Sequence, residues 1–131
     1  MATYNYRSGL GLVSAYQVSG RPFVSSSLVV PAESGTPLEI SFPNVTRSLT
    51  VRNDGVATIR VGFSATGVSG SSASNYFTLT ENTSFQEEFK VTKLYLISDS
   101  AAAGSATVIA GLTGIDAAQL SDSWSGLDGV G

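Results

Sequence analysis

The sequence contains no cysteine and no histidine. Without cysteine the chain forms no disulfide and offers no thiolate to a metal ion. Without histidine it lacks the commonest general base of enzymes and the commonest metal-ligating side chain. These two absences exclude disulfide-stabilised scaffolds, thiolate or imidazole metal sites, and catalysis by a Ser-His pair.

Charge is also scarce. Charged residues make up 13% of the 131 residues, and seven basic against ten acidic side chains give a net charge of −3. Proteins that bind nucleic acid through its phosphates need a surplus of Lys and Arg, so this composition disfavours direct contact with nucleic acid. No stretch approaches the ~18 apolar residues of a membrane span, and none resembles a signal peptide. We therefore expect no membrane span and a chain that is made and kept inside a cell. The triplets at Asn44 and Asn82 match the glycosylation signal, which arises often by chance and is used only in secreted proteins.

Few side chains are candidates for catalysis. Adjacent residues of a strand point to opposite faces, so Glu87 and Glu88 do not form a carboxylate pair, and nothing in the sequence links Lys90 or Lys93 to a serine. The aspartates of the C-terminal segment are spaced too widely among glycines for a calcium loop. We predict no catalytic residue, no metal site and no cofactor.

Short segments of alternating apolar and polar residues dominate the chain. The clearest lies within residues 45–64, where Leu49 and Val51 precede Asn53-Asp54-Gly55 and Ile59, Val61 and Phe63 follow it. Asp-Gly between two alternating segments is typical of a tight β-turn. We predict a hairpin there, with its polar side chains, Arg60 among them, facing water.

The same reasoning predicts six further strands, for eight in total, within residues 22–30, 38–42, 75–81, 85–89, 91–98 and 106–112. The strand within 91–98 is apolar on both faces. It is therefore expected to be central, or to have a covered outer face carrying Tyr95 and Ile97. Residues 64–74 are rich in Gly and Ser and predict a flexible, solvent-exposed connector. The predicted core contains Leu49, Val51, Ile59, Val61, Phe63, Leu94 and Leu96.

Eight strands without a convincing helix indicate an antiparallel sandwich, either an immunoglobulin-like fold or a jelly roll. Immunoglobulin-like folds carry a core tryptophan on their third strand, whereas Trp124 follows the last predicted strand. The prediction is an all-β, eight-stranded antiparallel single jelly-roll sandwich over residues 22–112. It has an extended N-terminal arm at 1–21 and an extended C-terminal tail at 113–131.

The arm and the tail carry large apolar side chains but no periodic pattern of their own. Such side chains are typical anchors in contacts between subunits, although the arm could equally lie on its own domain. Together with the outer face of the strand at 91–98, they form the predicted subunit interface: Tyr4, Tyr6, Leu12, Tyr16, Tyr95, Ile97, Ile115, Leu120, Trp124 and Leu127.

Several short stretches carry a resemblance to a known family. They are residues 16–23 (YQVSGRPF), 42–48 (FPNVTRS), 59–63 (IRVGF), 75–77 (NYF), 111–115 (GLTGI) and 124–126 (WSG). With these stretches the chain resembles, over most of its length, the small single-jelly-roll capsid proteins of nucleocytoplasmic large DNA viruses.

The resemblance implies a structural capsid protein of the virion, made in the host cell cytoplasm and without catalytic activity. The penton protein, five copies of which close each icosahedral vertex beside the major and minor capsid proteins, is the function it favours. A minor capsid protein beneath the shell is an alternative. A carbohydrate-binding or receptor-binding sandwich is another, and it would use exposed aromatic residues such as Tyr76, Tyr95 and Trp124.

Overall fold

Eight β-strands make up most of residues 21–69 and 73–119, the part of the chain that this computed structural model describes. They are β1 (Arg21–Val30), β2 (Leu38–Ser41), β3 (Asn44–Asn53), β4 (Ile59–Gly62), β5 (Phe77–Leu79), β6 (Ser84–Glu87), β7 (Lys93–Ser98) and β8 (Gly104–Asp116). A one-turn helix, α1 (Ala65–Val68), and a 3₁₀ turn at Ala117–Gln119 are the helical elements of this part. Neither comes near the length and hydrophobicity of a membrane-crossing helix.

The strands form two antiparallel four-stranded sheets. Sheet 1 has the order β1-β8-β3-β6 and sheet 2 the order β2-β7-β4-β5. Strand β1 pairs with β8, β2 with β7, β3 with β6 and β4 with β5, as in one long antiparallel ribbon wound into two layers. This winding is the jelly roll. The predicted all-β class, strand number and antiparallel sandwich are confirmed.

The core lies between the two sheets, because every strand turns alternate side chains inward. All the residues predicted to lie inside are buried there except Phe63, which is half-buried against the core. Alternation therefore predicted the inward faces correctly on both sheets. The buried members of this core are Val30, Ile40, Phe42, Leu49, Val51, Ile59, Val61, Leu79, Val91, Leu94, Leu96, Ala106, Val108, Ala110 and Leu112.

The predicted hairpin between β3 and β4 is wrong. The two strands do not pair, and the chain crosses from sheet 1 to sheet 2 between them. The Asn53 side chain, which is fully buried, accepts a hydrogen bond from Gly55 N (3.0 Å) and donates to the carbonyls of Ala57 and Leu79 (2.8 Å each). Alternation defines which side chains face the core, but it does not define which strand lies beside which.

Strand β7 is central in sheet 2, between β2 and β4, as its apolar character predicted. The last strand, β8, runs to Asp116, beyond the predicted strand end at Leu112. Its final residues extend along β3, where Asp116 is opposite Asn44. Residues 1–20 of the predicted arm and 120–131 of the predicted tail lie outside the described residues.

The prediction of a solvent-exposed connector at 64–74 is wrong for its first half. Ser64 caps helix α1 by accepting a hydrogen bond from Gly67 N (3.0 Å), and Val68 in the same turn is fully buried. Helix α1 packs on the outer face of sheet 2, against β4 and β7. Gly62 makes this approach possible, because a Cβ there would clash with Val68 Cγ1 and lie 2.9 Å from Asn75 O.

Candidate functional site

Most of the predicted interface residues fall outside the described part of the chain: Tyr4, Tyr6, Leu12, Tyr16, Leu120, Trp124 and Leu127. The remaining three lie on β7 and β8. Ile97 and Ile115 are fully buried, whereas Tyr95 is half-buried on the outer face of sheet 2, opposite Glu39 and Gly62. Of these three, Tyr95 alone has exposed surface to offer a partner.

Ile97 and Ile115 are buried for different reasons. Ile97 is opposite Arg60 on the outer face of sheet 2, which helix α1 covers. The end of β8 that carries Ile115 is fastened to β3, because Thr113 Oγ1 donates to Val45 O (2.7 Å) and accepts from Ile115 N (3.2 Å). Both side chains belong to the interior of their own chain, so they offer no area to another subunit.

Arg60 is the main polar feature that the sequence did not reveal. It was predicted to face water, but only 4% of the residue is exposed. Its Nε donates to Asp99 Oδ1 (2.6 Å), a second nitrogen donates to Val68 O (3.0 Å), and its guanidinium lies 4.5 Å above the Tyr76 ring. Glu33 Oε1 lies 3.4 Å from the third nitrogen. One arginine thus joins the β1–β2 loop, the β7–β8 loop and the α1 segment.

The surroundings of Arg60 keep it charged. Burial by itself lowers the pKa of the guanidinium, but the hydrogen bond to Asp99 and the nearby Tyr76, Asp99 and Glu33 raise it, and the net shift is upward. A permanently charged side chain at a buried position needs such partners. The cluster therefore holds loops in place, and no sequence signal distinguishes Arg60 from the exposed Arg52.

A second polar cluster lies on the outer face of sheet 1. Asp54 accepts hydrogen bonds from the Thr107 hydroxyl and from Arg52 Nε (2.6 Å). The Thr107 hydrogen bond lowers the pKa of Asp54 from its ordinary value of 3.8, burial opposes this, and Arg52 adds to the lowering. Arg52 is 59% exposed, so this pair faces solvent.

The sandwich has two open sides, where the edge strands of the two sheets lie next to each other. On the β1–β2 side, Phe23, Leu28 and Leu38 are partly buried over the core, and Phe23 packs edge-on against Phe42 with ring centroids 5.1 Å apart. Half-buried apolar side chains keep surface that a partner could cover.

On the opposite β5–β6 side, four phenylalanines form a continuous row. The ring centroids are 4.5 Å apart for Phe77 and Phe85, 5.9 Å for Phe85 and Phe89, and 5.6 Å for Phe89 and Phe63. All four are partly buried over the core. A shallow depression beside Phe89 is lined by Arg47, Glu88 and Lys90, with Arg47 and Glu88 paired at 3.4 Å.

Near strand β1, the outer face of sheet 1 carries exposed apolar side chains. Val24 and Ile109 lie opposite each other on β1 and β8 and are 67% and 45% exposed. Val29, further along β1, is 71% exposed. Among the described residues, exposed apolar side chains are therefore concentrated at and beside the edge strand β1.

Within the described residues, no three His, Cys, Asp or Glu side chains lie close enough together to hold a metal ion. The larger polar groupings, around Arg60 and Asp54, are hydrogen-bonded to the protein itself.

No protein-family model and no curated protein matches the chain. Among solved structures, it is similar to the coat protein dimer of Tobacco streak virus, with a TM-score of 0.39 and 14% identity over 92% of this chain and 100% of that chain. Another crystal form of the Tobacco streak virus coat protein has a TM-score of 0.36 and 9% identity over 82% of this chain and 92% of that chain. The assignment of the jelly roll rests on the strand order.

Proposed function

We propose that the chain is a structural subunit of a viral capsid and that five copies form a ring at each fivefold vertex. The observation that carries this proposal is the strand order of the two sheets, the jelly-roll winding of a long antiparallel ribbon. That winding occurs in capsid proteins, lectins and cupins, so the fold by itself leaves three classes open. The composition of the chain and the contacts of Tyr76 favour the capsid class.

The cupin class fits poorly, because its metal sites use histidine and the chain has none. The case for a lectin is weaker because Tyr76, one of its three candidate sugar-stacking residues, has one ring face occupied. Arg60 covers one face of the Tyr76 ring, which removes that face from stacking on a sugar. The resemblance to single-jelly-roll capsid proteins supports the remaining class and supplies the fivefold number.

The surface also suits assembly from identical copies. A ring needs two different patches on each chain, and the sandwich has two different open sides with half-buried apolar residues. A net charge of −3 per chain gives only modest repulsion between copies, because the Debye length at physiological salt is roughly 8 Å. The ring should therefore close without a metal ion.

Native mass spectrometry of the purified full chain tests this proposal. We expect a species of five 13.5-kDa chains at neutral pH, and we expect it to survive a chelator. A protein that stays monomeric over the micromolar range, or that forms another closed ring, contradicts the penton role. Binding to a glycan array by a monomeric chain would favour the lectin alternative instead.

A further inference from the structure

We infer that neighbouring copies join through their opposite open sides, with β1 of one copy antiparallel to β6 of the next. This inference rests on the proposed assembly of identical copies and adds which strands meet. Within the described residues, β1 and β6 are the edges of sheet 1, and each pairs with a single neighbour.

Strand β1 lacks most of the devices that protect exposed edges. Such edges are commonly short, charged or interrupted by proline. Strands β2, β5 and β6 have three or four residues, and Glu39 and Glu87 add charge to β2 and β6. Strand β1 has ten residues, and after Arg21 and Pro22 it carries neither charge nor proline. Its one irregularity is a bulge between Ser25 and Leu28.

The exposed apolar surface next to β1 points to a partner at this edge. Val24 and Ile109 form an apolar pair on the outer face, and Phe23 and Leu28 are half-buried on the inner face of the same strand. A strand added beside β1 would place its own side chains next to those of β1 on both faces of the sheet. On the other side of the sandwich, the phenylalanine row presents the matching apolar surface along β6.

Strand direction agrees with this pairing. Every neighbouring pair in sheet 1 is antiparallel, so β1 and β6, at opposite ends of four strands, run in opposite directions. When β1 of one copy approaches β6 of a copy related by rotation about an axis along the strands, the two edges are antiparallel. The contact joins different patches and can close a ring.

Charge and register agree as well. Arg21 is the charged residue of β1 and Glu87 that of β6, and neither forms an ion pair within the described residues. In sheet 1, Phe23 pairs with Ala110, Ala110 with Leu49 and Leu49 with Glu87, so these four residues form one row across the strands. Arg21 is two residues before Phe23 on β1 and therefore lies two residues away from the row that contains Glu87. Rotation about an axis along the strands keeps these levels. Arg21 and Glu87 are then diagonal neighbours of opposite charge across the contact, a separation that long side chains can span.

The natural lack of cysteine allows a direct crosslinking test. Val24 pairs with Ile109, Ile109 with Thr50 and Thr50 with Gln86, so Val24 and Gln86 are the two ends of one row on the outer face of sheet 1. Both residues are exposed. In the full chain carrying Val24→Cys and Gln86→Cys, a short bifunctional maleimide should produce a ladder of covalent oligomers that ends at five. Each single variant should give no ladder.

The matched control combines Val24→Cys with Val56→Cys, since Val56 is 81% exposed and lies in the β3–β4 crossing, outside both pairing strands. It should give no ladder. Dimers from Val24→Cys alone would show that β1 meets β1 of a second copy, which overturns the inference. An unreactive thiol at position 24 in the assembled protein, with no crosslink to position 86, would show β1 covered by another segment and would also overturn it.

Charge reversal provides a second readout that does not depend on cysteine. Arg21→Glu and Glu87→Arg should each raise the concentration at which the oligomer dissociates, by up to about fivefold, and the double reversal should restore it. A pentamer by native mass without the ladder refutes this contact but leaves the proposed function standing. A ladder from a chain that is absent from viral particles refutes the function but leaves the contact. A protein that stays monomeric refutes both.

Discussion

Replacing Arg60 by methionine is expected to destabilise the fold much more than the same replacement at Arg52. The two arginines form a matched pair, because each donates from Nε to an aspartate oxygen at 2.6 Å. They differ in burial, since the side chains are 5% and 59% exposed. The comparison therefore measures what burial and the additional partners of Arg60 add to a salt bridge of the same length.

The magnitude follows from the partners that Arg60 leaves behind. Removing one member of a buried pair costs about 3–5 kcal/mol when the other is stranded. Asp99 and Glu33 are 37% and 32% exposed and regain water, which lowers that figure. Val68 O loses a donor at a buried position, at about 1–3 kcal/mol, and the contact with Tyr76 is worth about 1 kcal/mol. We expect a net loss of about 3 kcal/mol for Arg60→Met.

For Arg52→Met we expect a loss of about 0.2–1 kcal/mol, and we expect it to shrink in high salt, as for exposed ion pairs. Urea unfolding followed by circular dichroism measures both free energies. In thermal unfolding, the Arg60 variant should melt about 10 °C lower, given an unfolding entropy of about 2.1 cal/mol/K per residue. Equal losses for the two variants, or a neutral Arg60→Met, would refute the role assigned to the cluster.

Three further changes test the fold with the same urea assay. Asn53→Asp replaces a buried amide donor by a carboxylate facing two carbonyl oxygens and should cost about 3 kcal/mol; a neutral result contradicts the described crossing. Gly62→Ala should lower the free energy of unfolding by about 1–3 kcal/mol, because the new methyl group clashes with Val68. In a double-mutant cycle, Val68→Ala should relieve part of that loss, and losses of the two variants that simply add would contradict the clash. The lowered pKa of Asp54 contributes stability that is fully present above its ordinary value of 3.8 and is lost as the pH falls through the folded-state pKa. Asp54→Asn should therefore lower the free energy of unfolding at neutral pH and lower it less in acid. Thr107→Val should reduce this difference between neutral and acidic pH. A loss for Asp54→Asn that does not depend on pH would contradict the lowered pKa of Asp54.

Period-two alternation predicted the strands and the inward side chains because it is a local property of extended backbone. The central position of β7 was also predicted from a local property, because a strand with two apolar faces is expected to be covered on both sides. Which strand pairs with which, however, depends on residues that are distant in sequence. The Asp54-Gly55 turn signal was interpreted as a hairpin, but the three hydrogen bonds of the Asn53 side chain hold the chain as it crosses between the sheets. Its partner at Leu79 O is distant in sequence.

The same limit explains Arg60, Ile97 and Ile115. A polar residue in an alternating strand is expected to face water, and Arg60 would do so if helix α1 did not cover that face of sheet 2. Ile97 was interpreted as an interface residue, but the same helix buries it. The half-buried phenylalanines of the β5–β6 side were each expected in a strand or its flank. Their arrangement as one row depends on edge strands of two different sheets meeting.

The most direct test of the proposed function is an icosahedral reconstruction of purified viral particles in which mass spectrometry detects peptides of this chain. The account predicts one copy of this jelly roll in each of the five positions around every fivefold vertex, with neighbouring copies in side-by-side contact. Density for the chain at sixfold or strictly internal positions, with another protein at the fivefold vertices, would contradict the penton role and leave the jelly roll standing.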